Sequence, residues 1–434
     1  MGINTNKKYT WLLKQYFDIR TKGKKEALRK IKLGLLISPY EIYFILTLPI
    51  WLISVLIFRL ISHFFLVRLG VLYSQRIGHF SLHTEIYLSG IECGLGHPNK
   101  PFIDIWCFEN RICNQQLATM WERELRIWPR CIIWPLIRMN ALLPGYLKHC
   151  IPHPDFQLSF RTACLLDNVL ERTNSHLKFN FKEEEWGLKC LAEMGLKQGS
   201  KFICFHGRDS SYLNSVYPGD WSYHDYRDVN IKNYLPAIEE LTQRGYFAIR
   251  MGKKVNDAFE SSNAMIIDYA NSNYQSDFMD IFLSAKCDFY LSSGSGAFCP
   301  SLVFRRPQII VNACPFLTVL DYNSNLIFIP KKYWSFNKDR EMTCHEIFES
   351  NSHTFHNTKQ FIEAGISLIE NSPQEILDLV IEGEERYRGI WSSKQEDIEL
   401  QNKFWAICPS NLYSGLIRSK IGVSFLKNNK FMLD

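Results

Sequence analysis

Between Cys287 and Asn312 the chain runs from a mostly apolar stretch, CDFYLS, through SGSG into AFCPSLVF and on to PQIIVN. An apolar run that stops at serine and glycine, then a helix-length segment, then a second apolar run, reads as a buried strand, a tight turn, a short helix and another strand. Gly294 and Gly296 tolerate positive φ, and the hydroxyls of Ser293 and Ser295 can donate to anionic oxygens. Small residues at a strand-to-helix turn also let backbone N–H groups meet a phosphate. The turn therefore reads as a nucleotide-diphosphate site, with a strand-to-helix turn that holds no ligand as the alternative.

The chain before this turn repeats its logic. A helix with acids at its start and glycines near its end covers EEEWGLKCLAEMGLKQGS, so a domain boundary is expected before Glu183. Lys201 to His206 reads as a strand, Ile231 to Arg244 as an amphipathic helix, and Tyr246 to Met251 and Ala264 to Tyr269 as strands. A helix follows at Asp277 to Ala285. Strands alternating with helices at this spacing predict a parallel sheet with helices on both faces, and such sheets bind ligands at the carboxyl ends of their strands. The first strand ends in Gly207, Arg208 and Asp209, and the second in Arg250, Met251, Gly252 and Lys253. Arginine offers a planar fork that matches phosphate oxygens. Arg208, Asp209, Arg250, Gly252, Ser293, Gly294, Ser295 and Gly296 are thus the expected donor-binding set. A structural ion pair with Asp209 or Asp268 is the alternative for either arginine.

Charge is unevenly spread. Met1 to Lys32 holds ten Lys or Arg against two acids, whereas the rest of the chain has forty basic and forty-two acidic residues. A positive excess confined to one end favours an anionic membrane surface and gives no support to nucleic acid as a partner. Directly after it, IYFILTLPIWLISVLIF, from Ile42 to Phe58, carries no charge. The long basic lead and the lack of a small-residue cleavage site set it apart from a cleaved signal. It reads as a membrane segment at the short limit for spanning, bent at Pro49, with a re-entrant or monotopic anchor on the cytoplasmic face fitting its two basic flanks. A buried core helix is the alternative. Thirteen cysteines, an odd number with no C-x-x-C, point to reduced thiols.

The part that follows begins with Val71 to Tyr73, the loop Ser74 to His79 and LHTEIYL. Strand, Gly-His turn and second element suggest the opening of a Rossmann-like half. His79 could accept a proton near neutral pH and is the expected catalytic base, beside Arg208 as the charge-stabilising group. A structural hydrogen bond is the plainer role for such a histidine. PFIDIW reads as a strand, Gln115 to Leu125 as a helix, and Ile127 to Tyr146 as a loop near the membrane.

Several chemistries find no support. There is no G-x-x-x-x-G-K-[ST] and no G-x-S-x-G around Ser293 or Ser295. No metal site is expected, because DFMD places Asp277 and Asp280 where acids favour the helix dipole. The polar run Asp220, His224, Asp225, Arg227, Asp228 reads as a solvated loop or as a face toward a sugar.

The runs FHGRDSSY, HDYRDVNIKNYLPAIEELTQRGYFAIRMGK and IIDYANSNYQSDFMDIFLSAKCDFYLSSGSG resemble a family of surface-carbohydrate glycosyltransferases with the GT-B fold. RIGHF at Arg76 resembles the start of that family's N-terminal half, and the resemblance covers roughly residues 71 to 390. It implies an α/β chain with two facing Rossmann-like domains, a nucleotide-sugar donor held by the second, and a glycan or lipid-linked acceptor held by the first. The expected layout is 1–70 basic end and membrane segment, 71–182 acceptor domain, 183–390 donor domain with Pro373 to Arg388 as its closing helix, and 391–434 tail. The activity implied is metal-independent transfer of a sugar, with no cofactor. A nucleotide-binding scaffold without turnover, or a membrane adaptor whose soluble part only packs, remains the alternative.

Overall fold

The computed structural model describes residues 39–154, 158–216, 219–256, 258–316, 325–409 and 419–434. They form two compact units. The first comprises the described parts of Met1–Leu72, Gly96–Glu109 and Leu125–Leu158. Its helices Pro39–Leu46 and Leu48–Ile61 meet at Thr47, and Pro49 sits in the first turn of the second helix, where its missing N–H costs nothing. Two parallel strands follow, β1 (Leu66–Leu72) and β2 (Phe102–Phe108), in register from Leu66↔Phe102 to Leu72↔Phe108. Phe44, Trp51, Val55 and Phe58 pack onto Leu69, Val71 and Cys107 and onto Ile133 and Met139 of the helix Arg130–Ala141. Buried Arg68 reaches Asp104 on the paired strand through both nitrogens of its fork, at 2.6 and 2.7 Å.

This arrangement revises three expectations. The apolar stretch Ile42 to Phe58 is two helices that supply core to their own unit, and among the described residues no helix is long and apolar enough to cross a membrane. The boundary expected at residue 70 falls inside β1. The segment Ile127 to Tyr146, expected as a loop, contains a helix with Pro135 inside it, whose apolar residues lack clean periodicity because they pack on the helix Leu48–Ile61 as well as on β1 and β2.

The second unit comprises Tyr73–Leu95, Asn110–Glu124 and the described part of Ser159–Asp434. Its strands are β3 (Lys201–His206), β4 (Tyr246–Arg250), β5 (Ile266–Ile267), β6 (Tyr290–Ser292), β7 (Gln308–Ala313), β8 (Leu326–Pro330), β9 (Lys332–Ser335), β10 (Arg340–Glu341), β11 (Ile366–Ile369) and β12 (Lys420–Ile421). Seven of them make one parallel sheet in the order β12-β8-β7-β6-β3-β4-β5. The chain is therefore α/β with a parallel sheet, and the strand order reverses between β3 and β6. Carboxyl ends at such a reversal leave a crevice where ligands bind. β7 and β8 are buried along their whole length, which fits the apolar runs Ile309–Val311 and Leu326–Pro330. The helix Pro373–Tyr387 starts at a Ser372/Glu375 capping box and packs on the helix Leu235–Gln243, β7 and β8. Three antiparallel strands, β10-β9-β11, form a separate sheet.

The strands and helices expected between Lys201 and Asn312 are present, though Ala264 to Tyr269 yields only the two residues of β5. The expected N-terminal half contributes β1 and β2 to the first unit and its segments 73–95 and 110–124 to the second. The tail beyond residue 390 is structured where described: Gln395–Ile407 is a helix and β12 extends the sheet beside β8.

Candidate functional site

The crevice at the strand reversal is built by β3 and β6, paired as His206↔Ser292 at their last residues. The turn after β6 is held from inside. Ser292 Oγ accepts the N–H of Gly294 at 3.1 Å, and Ser295 Oγ caps the next short helix by accepting from Ala297 at 3.3 Å. Gly294 has φ +73°, a conformation that a Cβ would strain. Ser293 Oγ accepts the backbone N–H of Arg208 at 3.0 Å, and Ser295 Oγ lies 3.1 Å from His206 Nδ1, so turn and strand end are locked together.

The loop after β1 closes on the same turn. A Cβ on Gly78 would stand 3.0 Å from Gly296 Cα, so RIGHF and SGSG touch backbone to backbone within the second unit. Beside this contact opens a cavity of about 300 Å³, bordered by Arg76, Gly78, His79, His206, Arg208, Asp209, Tyr212, His224, Arg227, Gly252, Lys253, Lys254, Asp280, Ser295 and Gly296, among others. His79 opens a π-helical turn, His79–His83, with its ring 4.7 Å from that of His83.

The walls are strongly cationic. Arg208 is buried, pairs with Asp228, and has its guanidinium brought down to about 10 by burial and by the charge of Arg227. Arg227 donates to Gly294 O at 2.5 Å. Arg76 lies 5.8 Å over the Trp221 ring, and Lys253 Nζ donates to Cys113 O at 2.9 Å and to Asp277 Oδ1 at 2.7 Å. Two histidines respond to this charge. Burial, then Arg250 and Arg208, push His206 down to about 4. Burial, then Arg208, Arg227 and Arg76, do the same to His224. Both are neutral at pH 7, and the excess of fixed positive charge is what an anion meets. Two acids, Asp209 and Asp280, share the wall; burial raises the Asp280 carboxyl to about 6, while the Tyr269 hydroxyl donates to it at 2.9 Å.

Not every expected residue comes to this cavity. Ser293 and Gly294 hold the turn from behind it, and the Gly294 N–H is taken by Ser292. Arg250 pairs with Asp268 at 3.4 Å and sits 5.8 Å over Phe259, so the ion-pair alternative holds for it. Arg208 pairs with Asp228 and not Asp209, whose carboxylate accepts the N–H groups of Ser211 and Asn256 at 2.9 and 3.2 Å. Arg250 instead borders a second cavity of about 570 Å³, together with Asp209, Asp225, Asp228, Asn230, Lys331, Phe361, Ile366 and Glu370. Lys331, buried and held below its usual value by that burial, donates there to the carbonyls of Tyr226 and Asp228 at 3.2 and 2.8 Å. Asp277 does not cap its helix; Ser276 does. Among the described residues no three His, Cys, Asp or Glu are grouped to hold a metal ion.

No family model matches the chain, and no curated protein matches it. Solved structures to which it is similar include glycosyltransferases. One is ADP-heptose lipopolysaccharide heptosyltransferase II of E. coli, at 12% identity over 61% of this chain and 90% of that one, with a TM-score of 0.38. Another is a family 9 glycosyl transferase from Veillonella parvula, at 13% identity over 69% and 95% of the two chains, with the same TM-score of 0.38. A third is the UDP-GlcNAc 2-epimerase of Methanocaldococcus jannaschii, at 11% identity over 61% and 89%, with a TM-score of 0.26. At such scores the chemistry has to be read from the cavity's own residues.

Sequence reasoning passed over His206 and Asp280 as site residues. His224 and Arg227 lie on a 3-10 turn, Ser222–Arg227, inside the polar run read as a solvated loop or as a face toward a sugar. Their alternation with aromatics, SYHDYR, was the available signal.

Proposed function

We propose that the chain is a glycosyltransferase that moves a sugar from a nucleotide-sugar donor to a glycan or lipid-linked acceptor in surface polysaccharide biosynthesis, with the two-domain GT-B organisation that the motifs resemble. One observation carries this: a cavity at the strand reversal whose wall brings together Arg76, Arg208, Arg227 and Lys253 around a glycine-serine turn. Attack of an acceptor hydroxyl on the anomeric carbon breaks the bond to the diphosphate, which leaves with the electron pair. The negative charge gathers on oxygens that Arg208 and Arg227 are placed to meet, and fixed donors of this kind stabilise the transition state more than the ground state. The guanidinium groups supply the charge that a metal ion would otherwise bring, so the transfer is metal-independent. The acceptor proton goes to a group on the wall, His79 or Asp280. The larger cavity, with carboxylates for hydroxyl groups and Phe361 and Ile366 for an apolar face, suits the donor's nucleoside.

A panel of nucleotide sugars tests the proposal by thermal shift and by release of free nucleoside diphosphate. A donor that both stabilises the protein and is cleaved supports it. Saturable binding without release on any acceptor makes the chain a binding component of an assembly complex, and no binding at all removes the donor site.

A further inference from the structure

The helices Pro39–Leu46 and Leu48–Ile61 carry two apolar stripes, and among the described residues only one is covered by protein. Trp51, Val55 and Phe58, spaced four and three apart, are buried in the core of their unit. Leu46, Ile50, Ile53, Ile57, Leu60 and Phe64 follow the same four-three spacing on another side and are exposed, with Leu46 at 76%, Leu60 at 75% and Phe64 at 84%. Single exposed leucines are ordinary, but a continuous row of this length marks an interaction surface.

We infer that this stripe lies in the plane of an anionic lipid bilayer, sunk into one leaflet. Helices of 8 and 14 residues extend about 12 and 21 Å, each short of a hydrocarbon core of about 30 Å, and the face carrying Trp51, Val55 and Phe58 is covered by protein, which favours lying along a surface. The stripe is also too broad for a helix-to-helix seam, which is narrow and flanked by charge. Here the neighbouring Ile45, Leu56 and Ile61 are apolar and exposed too. Cations stand where headgroups would. Lys100 Nζ donates to Ser62 O at 2.7 Å, Lys148 Nζ to Ser62 Oγ at 3.4 Å, and Arg59 holds the loop that presents exposed Leu142 through Pro144 O at 2.7 Å. In sequence, the segment directly before the helices brings ten Lys or Arg against two acids between Met1 and Lys32. That charge complements anionic lipid.

Flotation of the full chain with vesicles tests this. The chain should rise with vesicles containing phosphatidylglycerol, rise less with phosphatidylcholine alone, and stay bound in high salt once inserted. Ile53→Glu with Ile57→Glu should lower the bound fraction roughly tenfold or more while circular dichroism stays unchanged. Ile362→Glu, at an exposed position elsewhere, should leave binding as it was. A chain that stays with the bottom fraction in both lipid mixtures, or a double variant that floats like the parent, overturns the inference. So does a lipid-free dimer that the double variant dissolves, since the stripe then belongs to a second copy. If only a chain lacking residues 1–38 floats, that segment is the occupant and the inference fails. None of these outcomes depends on donor cleavage, which is measured separately.

Discussion

Two cavities flank the carboxyl end of β3, and they differ in sign. The smaller is walled by Arg76, Arg208, Arg227 and Lys253 with Asp209 and Asp280, and the larger by Asp225, Asp228 and Glu370 with Arg250 and Lys331. The Arg208–Asp228 ion pair stands between them, one member in each wall. Two arginines that look equivalent in sequence, each at a strand end, are therefore in different surroundings. Arg208 faces a cationic cavity where a diphosphate would compete with Asp228 for its fork, whereas Arg250 is tied to Asp268. A strand-end position brings a residue to the rim but does not decide which side of the rim it serves.

The largest effect expected on this contrast is in the smaller cavity's proton acceptor. His79→Ala and Asp280→Asn, measured side by side at saturating donor, should differ sharply. The variant that removes the base should lose about 10² to 10⁴ in kcat with donor affinity nearly intact. The other should change little. If Asp280 is the base, the parent's kcat should also fall as pH drops below about 6, where its carboxyl takes up a proton. Two variants with full turnover would place the proton acceptor outside this wall.

Next comes Arg208 itself. Arg208→Ala should cost about 3 kcal/mol in the barrier, roughly a hundredfold in rate, by loss of a preorganised donor to the leaving diphosphate. Arg208→Lys should recover only part of this, since the charge returns without the fork. A folded Arg208→Ala protein that binds and cleaves donor like the parent would reduce the residue to its ion pair with Asp228. Arg250→Met is the matched control from the other side of the comparison. It should lower stability by about 2 kcal/mol, because Asp268 loses a charged partner, and leave kcat close to the parental value, with any catalytic change confined to the donor KM through the larger cavity that Arg250 borders. An equal catalytic loss in both variants would mean that the two walls act as one site.

How much of this was legible in the sequence follows from what each element packs against. β3, β4, β6 and β7 were readable because a parallel strand covered on both faces is mostly apolar, and in β3 and β6 glycine or serine follows its last residue. The SGSG turn was readable from its small residues between two apolar runs, and the helix from Pro373 from proline at its first turn. Asp228 was not readable as the partner of Arg208, because it lies twenty positions further along the chain and no periodicity links a loop to a strand end. Asp280 was read as answering to a helix dipole, since only the folded helix shows that it points at a cavity with Tyr269 behind it. The apolar run at Ile42 was legible as apolar but not as divided, because burial of one stripe comes from Leu69, Val71 and Cys107, far along the chain.

The last effect concerns pH and stability, and it separates the two walls once more. His206 ionises at about 4 in the folded chain against an ordinary value of 6.5, so between those values the unfolded chain binds more protons than the folded one. Stability therefore rises with pH through this window and is lost as pH falls from 6.5 toward 4. The slope for one such group is at most about 1.4 kcal/mol per pH unit. The cause lies in burial together with the positive charge of Arg250 and Arg208, so the effect should track those arginines. His206→Gln keeps a side chain able to accept a hydrogen bond near Ser295 and removes the titration. Its melting temperature should change less between pH 6.5 and 4.5 than that of the parent, with His224 supplying the remaining slope. A parent protein whose melting temperature is flat across this window, or a His206→Gln variant as steep as the parent, would show that the positive field acting on this strand end is weaker than the clustering of Arg208, Arg227 and Arg250 indicates.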